Sequence, residues 1–397
     1  MPVKRCAILH AEPFETLDLD LAALFRGESG LVTRRGWRVL APHLAAEVVV
    51  SAAELDALGR VGAADWMDHE LVAGEIGADC LASLISNGLL IDSADEQAVA
   101  RDKALHDLHW HAPAAIAHHA SRWSNTDVDA SRRQANSNAV ADLVARVGPP
   151  PPHYHTRRDA RERCQLPGTQ SKTGLDQLLE RRTTCRNFDA ASSLPLQDLA
   201  GLLDRVFGSR GSEEIAEGAV AIKKNHPSGG ALHPIEAYLI VRNVAGLAPG
   251  LYHYNVESHA LDLLEALDTN DVHRTALDAV AGQTYFADAH ALIILTARFG
   301  RSFWKYRNHA KIYRAILLEA GHVSQNIYLS ATESGYGAFV TAAINEIDLE
   351  KALRLDSIQE SPVAVCGIGV RGSRKATVEF DPAGKVWGRG DGPGIHA

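Results

Sequence analysis

Residues 305–341 read KYRNHAKIYRAILLEAGHVSQNIYLSATESGYGAFVT. Within them Ile312, Ile316, Ala320, Val323, Ile327 and Ala331 recur every three or four residues, the spacing of one buried face of an α-helix. Glu319, His322 and Asn326 form a polar seam on the same helix, and Gly335 stands where a helix closes on a left-handed residue. A helix that is apolar round most of its circumference and polar along one seam is central to its domain. The C-terminal half of the chain is therefore expected to be built round it, with Lys305 and Tyr306 on the loop just before its start.

Working outward, AYLIVRNV (237–244), ALIILTA (291–297) and SPVAVCGIGV (361–370) are short runs rich in β-branched residues with polar or glycine boundaries, so they predict core strands. GLYHYNVESHALDLL (250–264) alternates as a hairpin does. GLDQLLERRTT (174–184) predicts a helix with Leu175, Leu178 and Leu179 inward, and LPLQDLAGLLDRVFG (194–208) another, with Pro195 in its first turn. Helices and strands mix without a regular βαβ rhythm, which argues for an α+β fold. There is no GxGxxG after a strand and no Walker A sequence, so neither usual dinucleotide nor ATP sites are signalled.

The 397 residues are 46% apolar with a formal charge of −9 and a pI near 6.1. That length allows two or three domains, and that charge argues against nucleic acid as a partner. No run of about 18 apolar residues suggests a membrane span, and the acidic start lacks a signal-peptide core, so a cytoplasmic protein is expected. Cys6, Cys80, Cys164, Cys185 and Cys366 are scattered without a CxxC pair, so reduced thiols are expected. In ADCLASLISNGLLIDS (78–93) a helix, an Asn-Gly stop and a strand follow one another, the order of a recognition helix and wing in a winged-helix module, which serves either DNA or peptide binding. It lacks the lysines and arginines of a phosphate-contacting helix. His106, His109, His111, His118 and His119 cluster next; no carboxylate or cysteine pattern supports a metal there, and a helix packing Trp110 and Trp123, with hydrogen-bonded histidines, is the preferred reading. Pro149 to Pro152 then form a stiff linker. Three regions result: 1–104, a winged-helix-like domain; 105–165, a helical segment and linker; and 166–397, the second large domain.

Arg182, Thr183, Thr184 and Arg186 put two guanidinium groups and two hydroxyls within five residues, a set suited either to one phosphate or to a solvated surface. Asn225 to Pro234 (NHPSGGALHP) is too rich in small residues to fill a core and lets backbone N–H groups approach a flat ring or an anion, unless it is an ordinary loop. Gly369 and Arg371 end the last strand, where a basic side chain can reach an anion.

In this order, RRTTCRNF, PSGGALHPIEAYLIV, GLYHYN, the 305–339 stretch and the Gly369–Arg371 end resemble the FMN-dependent nitroreductase superfamily. Within it they resemble the SagB-type branch of thiazole/oxazole-forming, peptide-maturation dehydrogenases. The resemblance covers about residues 160–375. It implies a nitroreductase-like fold, a mostly antiparallel central sheet flanked by helices, in a homodimer with FMN at the interface. It also implies that Arg182, Thr183, Thr184 and Arg186 hold the phosphate, ribityl chain and ring edge, with Arg371 as a further phosphate contact. Pro227, Ser228, Gly229 and Ala231 would reach the same flavin from the partner subunit, Thr341 and Ala342 would lie near its reactive edge, and Lys305 and Tyr306 match the catalytic pair. No metal is implied. Two departures stand out: Thr184 where serine is commoner, and Tyr336 between glycines where leucine is usual, which bears on the shape of the substrate pocket.

Oxidising a thiazoline or oxazoline to its azole removes a proton from one ring carbon and a hydride from the next. FMN accepts the hydride, so the protein must hold the ring and supply a base. Neutral Lys305, favoured by desolvation and by Arg301 and Arg307, is the expected base, with Tyr306 donating a hydrogen bond or relaying the proton. The partners expected are a second copy, a ribosomally made precursor peptide, and a cyclodehydratase or another peptide-modifying enzyme. An NAD(P)H-dependent nitroreductase or quinone reductase, or a non-catalytic scaffold of a modifying complex, are the alternatives.

Overall fold

The computed structural model describes residues 1–27, 29–130, 139–155, 157–168 and 173–388. In chain order its C-terminal half runs α1 (Gly174–Arg181), α2 (Leu196–Phe207), β1 (Ile235–Val241), β2 (Gly250–Asn255), β3 (Ala260–Ala266), α3 (Thr269–Ala279), β4 (Ala291–Arg298), α4 (Phe299–Lys305), α5 (Ile312–Glu333), β5 (Gly337–Thr341), α6 (Glu346–Leu353) and β6 (Glu360–Gly369).

The apolar stripe folds as α5, 22 residues long, and all six stripe residues are buried. Of the seam, Glu319 is buried, Asn326 is half-buried and His322 is exposed. The helix closes as expected: Gly335 takes φ +82°, and the N–H of Tyr336 donates to Ala331 O at 2.8 Å, satisfying a carbonyl that the last turn leaves open.

The strands form one six-stranded sheet in the order β3-β2-β1-β4-β6-β5, antiparallel at every pairing. Because side chains alternate across a strand, Leu239, Ile293, Leu295 and Cys366 pack on the α2 and α5 side. Ile240, Leu292, Ile294 and Val365 pack with Val272 of α3 and Leu349 of α6 on the other. Both faces are covered, which is why β4 reads as a nearly unbroken apolar run.

Two expectations are corrected here. Leu175 and Leu179 of α1 are 57% and 44% exposed in the single chain, so that helix does not bury its leucines against its own core. Lys305 and Tyr306 are not on a loop: Lys305 ends α4 and Tyr306 caps it. Phe299 and Phe303, one turn apart, fix α4 against Trp110 with ring centroids at 4.6 and 4.7 Å.

The N-terminal region has its own apolar cluster, from Val3 to Ile91. The helix Ala78–Ser86, the turn at Asn87 and left-handed Gly88, and the strand Leu90–Asp92 follow in the order expected, and Val3–Arg5 pairs antiparallel with that strand. A long ribbon, His10–Leu19 against Leu31–Leu40, was not foreseen. Ion pairs Glu12–Arg38 and Glu15–Arg35 join directly opposed residues across it.

The histidine-rich segment folds as the helix Ala112–Ala120 lying on the C-terminal half. Trp110 is buried and donates from its indole nitrogen to Ile358 O at 3.1 Å, but Trp123 is 41% exposed, so only one tryptophan packs. Nor are the histidines all satisfied. His118 Nδ1 lies 3.0 Å from the Tyr313 hydroxyl, whereas His118 Nε2 and both ring nitrogens of His119 have no hydrogen-bond partner among the described residues. Burial, with Arg122 nearby, pushes His118 down to about 3; burial, with His118 and Arg122, pushes His119 down to about 2.

A histidine whose folded pKa is depressed takes its proton more readily in the unfolded chain, so stability falls as pH drops below about 6.5, by up to about 1.4 kcal/mol per pH unit for each histidine. Thermal melts between pH 7 and pH 5 should show this slope, and His119→Leu should make it shallower; an unchanged slope would contradict the assignment.

Candidate functional site

The residues singled out in the sequence gather in two places. The first lies beside β5 and β6. Thr184 bridges Ala338 of β5 and Phe188 bridges Arg371 just beyond β6, so the stretch 182–188 runs along the sheet. Thr184 Oγ1 is 2.9 Å from the Tyr328 hydroxyl of α5, and the Arg182 guanidinium lies 5.2 Å from the centroid of the same ring. Among the described residues no carboxylate pairs with Arg182, which leaves a half-buried cation with charge to spare. Arg186 lies 5.7 Å from the Tyr285 ring centroid and donates to Val378 O at 3.2 Å. Thr341 is buried at the end of β5, its hydroxyl oxygen accepting from Gln283 Nε2 at 3.2 Å, with Ala342 exposed beside it.

Arg371 belongs to this group but is already engaged. It donates to Thr183 Oγ1 at 3.1 Å and forms an ion pair with Glu379. The buried Glu379 carboxylate also accepts from the backbone N–H of Arg186 at 2.6 Å and of Asn187 at 3.0 Å, and from the Trp387 indole at 2.7 Å. Burial alone would push its pKa up, but Arg371 and these donors outweigh burial and hold it below the usual range. Sequence reading missed Glu379, because nothing in a polar C-terminal stretch marks one carboxylate as buried.

The second group lies where the glycine-rich loop meets α4 and the N-terminal part of α5. Pro227 and Gly229 are exposed and Ser228 is half-buried, its Oγ accepting from His233 N at 2.9 Å. Gly230 has φ +71°, and a Cβ there would lie 2.8 Å from the Tyr306 hydroxyl and 3.1 Å from Lys305 Nζ. The loop thus packs against the Lys-Tyr pair through a position only glycine fills without strain. Ala231, at φ +56°, follows. A cavity of about 590 Å³ opens here, lined by Gly230, Arg298, Arg301, Trp304, Lys305 and Glu360. Lys305 is exposed in the protomer, so no burial within one chain desolvates its amine. Tyr336 lies elsewhere: its hydroxyl donates to Asp198 of α2, which pushes its pKa up to about 12. Its link is to α2, and it is not among the residues lining this cavity.

The helix α5 separates the two groups. Gly229 approaches Ala315, and Arg182 and Thr184 meet Tyr328, thirteen residues on; at 1.5 Å per residue the groups stand about 20 Å apart along the helix. Arg182, Thr183, Thr184, Arg186, Thr341, Ala342 and Arg371 are thus at one end, and Pro227, Ser228, Gly229, Ala231, Lys305 and Tyr306 at the other. Beneath the second group lies a cluster that sequence reading did not join: His226, His233 and Glu319, all buried. Burial raises the Glu319 pKa, yet His226, His233 and Ser228 outweigh it and hold the carboxyl at about 2.

Residues 179–370 match the nitroreductase family. MJ1384 of Methanocaldococcus jannaschii, named as a nitroreductase, is 30% identical over 205 residues, 52% of this chain and 94% of its own length. The trifolitoxin-processing protein TfxB of Rhizobium leguminosarum bv. trifolii is 35% identical over 144 residues, 36% of this chain and 38% of TfxB. The microcin B17-processing protein McbC of Escherichia coli is 28% identical over 193 residues, 47% of this chain and 66% of McbC. The chain therefore spans less than two thirds of either processing protein. A chain of the E. coli microcin synthetase McbBCD complex, solved with truncated pro-MccB17, superposes with TM-score 0.51 at 21% identity, covering 68% of this chain and 94% of that one, which establishes likeness of fold.

The two loop glycines give a local test. Gly230→Ala should lose about 1–2 kcal/mol of stability, from left-handed strain and the contact with Tyr306. Gly229→Ala, with its nearest contact an ordinary 3.8 Å, should lose no more than about 0.5 kcal/mol. Equal losses in thermal melts would contradict the close packing described.

Proposed function

Because the chain belongs to the nitroreductase family, a family of flavin-dependent oxidoreductases, we propose that it is an FMN-dependent dehydrogenase that matures a ribosomally made peptide, oxidising azoline rings to azoles. Support for the peptide comes from TfxB and McbC, both named for processing peptide toxins. The observation that carries the site is the packing of Gly230 against Lys305 and Tyr306 at one end of α5, with an uncompensated Arg182 at the other.

The side chains present fit FMN. Arg182, with the Thr183 and Thr184 hydroxyls, offers charge and donors to a phosphate, while Arg371 divides its charge with Glu379 and is the weaker contact. Arg186 and Thr341 lie along the same edge. Pro227, Ser228, Gly229 and Ala231, about 20 Å away in the same chain, would serve the site of a second copy. A homodimer follows from this reading. Leu317 and Leu318 on the outer face of α5, with Leu175 and Leu179 of α1, are exposed in the protomer and would be covered by that second copy.

Bound FMN supplies a two-electron acceptor. Lys305 would take the proton from the ring carbon; its exposed amine would be desolvated when the partner and the substrate close over the cavity. Tyr306 would orient the Lys305 amine and hand the proton on, with Gly230 setting the approach of both. The cavity between Trp304, Arg298 and the hairpin of strands Ser212–Ala216 and Ala219–Ile222 would receive the peptide segment. Unlike the loop expected from sequence, the helical end of α4 fixes Lys305 in place, which favours a defined proton-transfer geometry.

Three measurements test this. Purified protein should be yellow, and Arg182→Ala should weaken FMN binding by about 1.5–3 kcal/mol, roughly 10- to 150-fold. Lys305→Ala should keep its flavin and lose about 100-fold or more in loss of two hydrogens from a co-expressed precursor peptide, read by mass spectrometry. A colourless protein would point to the scaffold reading, rapid flavin reduction by NADPH to a general nitroreductase, and normal turnover by Lys305→Ala would remove the lysine from the chemistry.

A further inference from the structure

Under the glycine-rich loop three buried ligand atoms form a nearly equilateral triangle. His226 Nε2 stands 3.4 Å from Glu319 Oε1, His233 Nδ1 stands 3.6 Å from the same oxygen, and the two nitrogens are 3.3 Å apart. The three side chains are 1%, 6% and 3% exposed, so bulk water does not solvate the carboxylate.

As hydrogen bonds these separations are long. A charged N–H···O contact closes to about 2.7–2.9 Å, and Glu319 Oε1 makes no contact of hydrogen-bond geometry. As edges of a coordination shell they fit: ligands at about 2.0–2.2 Å from zinc lie about 3.3–3.6 Å apart in a tetrahedron, against about 2.8–3.1 Å on an octahedral face.

The proton positions agree. His233 Nε2 lies 3.0 Å from Ile222 O, a carbonyl that can only accept, so this nitrogen carries the proton. In the neutral ring Nδ1 is then bare, and its lone pair faces His226 Nε2 at 3.3 Å and the Glu319 oxygen at 3.6 Å. A dry pocket in which a lone pair, a carboxylate oxygen and a second imidazole nitrogen converge suits a shared cation, either a proton on His226 Nε2 or a metal ion, and the three long separations favour the ion. An imidazole anchored by its outer nitrogen to a backbone carbonyl is the usual support of a metal-bound histidine.

We propose that His226 Nε2, His233 Nδ1 and Glu319 Oε1 bind one zinc ion, with water or the Ser228 hydroxyl in the fourth position. The ion would staple both ends of the 226–233 loop to the N-terminal part of α5. It would thereby hold Gly230 against Lys305 and Tyr306, a structural role that does not depend on the flavin assignment.

The test uses the full chain without a polyhistidine tag, incubated with zinc sulfate, desalted over a weak chelator, and analysed for zinc by mass spectrometry with flavin measured separately. Wild type should keep about one zinc per chain, and Glu319→Gln and His233→Asn should each keep less than about a tenth of that. An anomalous-scattering peak at the zinc edge inside the triangle of wild-type crystals gives the same answer where a variant fails to fold. Wild type without zinc would overturn the proposal and identify the cluster as a protonated His233 paired with Glu319. Zinc held undiminished by both variants would overturn it equally.

Discussion

A single rigid helix fixes the distance between the arginine-bearing group and the glycine-rich loop with its Lys-Tyr pair. Its 22 residues bury an apolar face against the sheet, so α5 cannot bend to bring Tyr328 and Ala315 together. Arg182 is held at one end by the Tyr328 ring, and the glycine-rich loop is held at the other by Ala315 and Glu319. In the proposed reading each end serves a different flavin, and the exposed leucines of α1 and α5 are the surface across which two copies meet.

The two ends differ in how charge is handled. At the arginine end, Glu379 ties the C-terminal segment to Arg371 and to the backbone of Arg186 and Asn187, which neutralises one cation and leaves Arg182 with the most charge to offer. At the loop end, a buried carboxylate sits between two histidines, which costs too much to be tolerated without a cation or shared protons. That cluster holds the loop in place. The loop in turn sets Gly230 against Lys305 and Tyr306, so positioning of the proposed base is inherited from a group that never touches substrate.

Much of this was legible in the sequence because it repeats with the period of its element. The α5 stripe, the β4 run and the Gly335 stop each obey one local rule, and the structure follows all three. The ribbon of His10–Leu19 and Leu31–Leu40 was not legible, since much of it is solvated and its pairing is written in cross-strand charges. Leu175 and Leu179 read as core because sequence periodicity distinguishes apolar from polar, and not a buried apolar face from an exposed one. Lys305 and Tyr306 precede the apolar stripe of α5 and so read as its leading loop, whereas the Phe299–Phe303 pair that anchors the short helix α4 gains its meaning only from the contact with distant Trp110. Glu379 and the Glu319, His226 and His233 cluster depend on contacts between distant segments, which no local pattern encodes.

Mixing of subunits tests the central claim most directly. Arg182→Glu and Lys305→Ala chains, each inactive alone, would be co-expressed with different tags and the mixed dimers assayed for oxidation of the precursor peptide. If each site takes its arginines from one copy and its Lys-Tyr pair from the other, a one-to-one mixture regains about a quarter of wild-type activity, since half the dimers carry one intact site. A mixture as inactive as its parents would contradict the account.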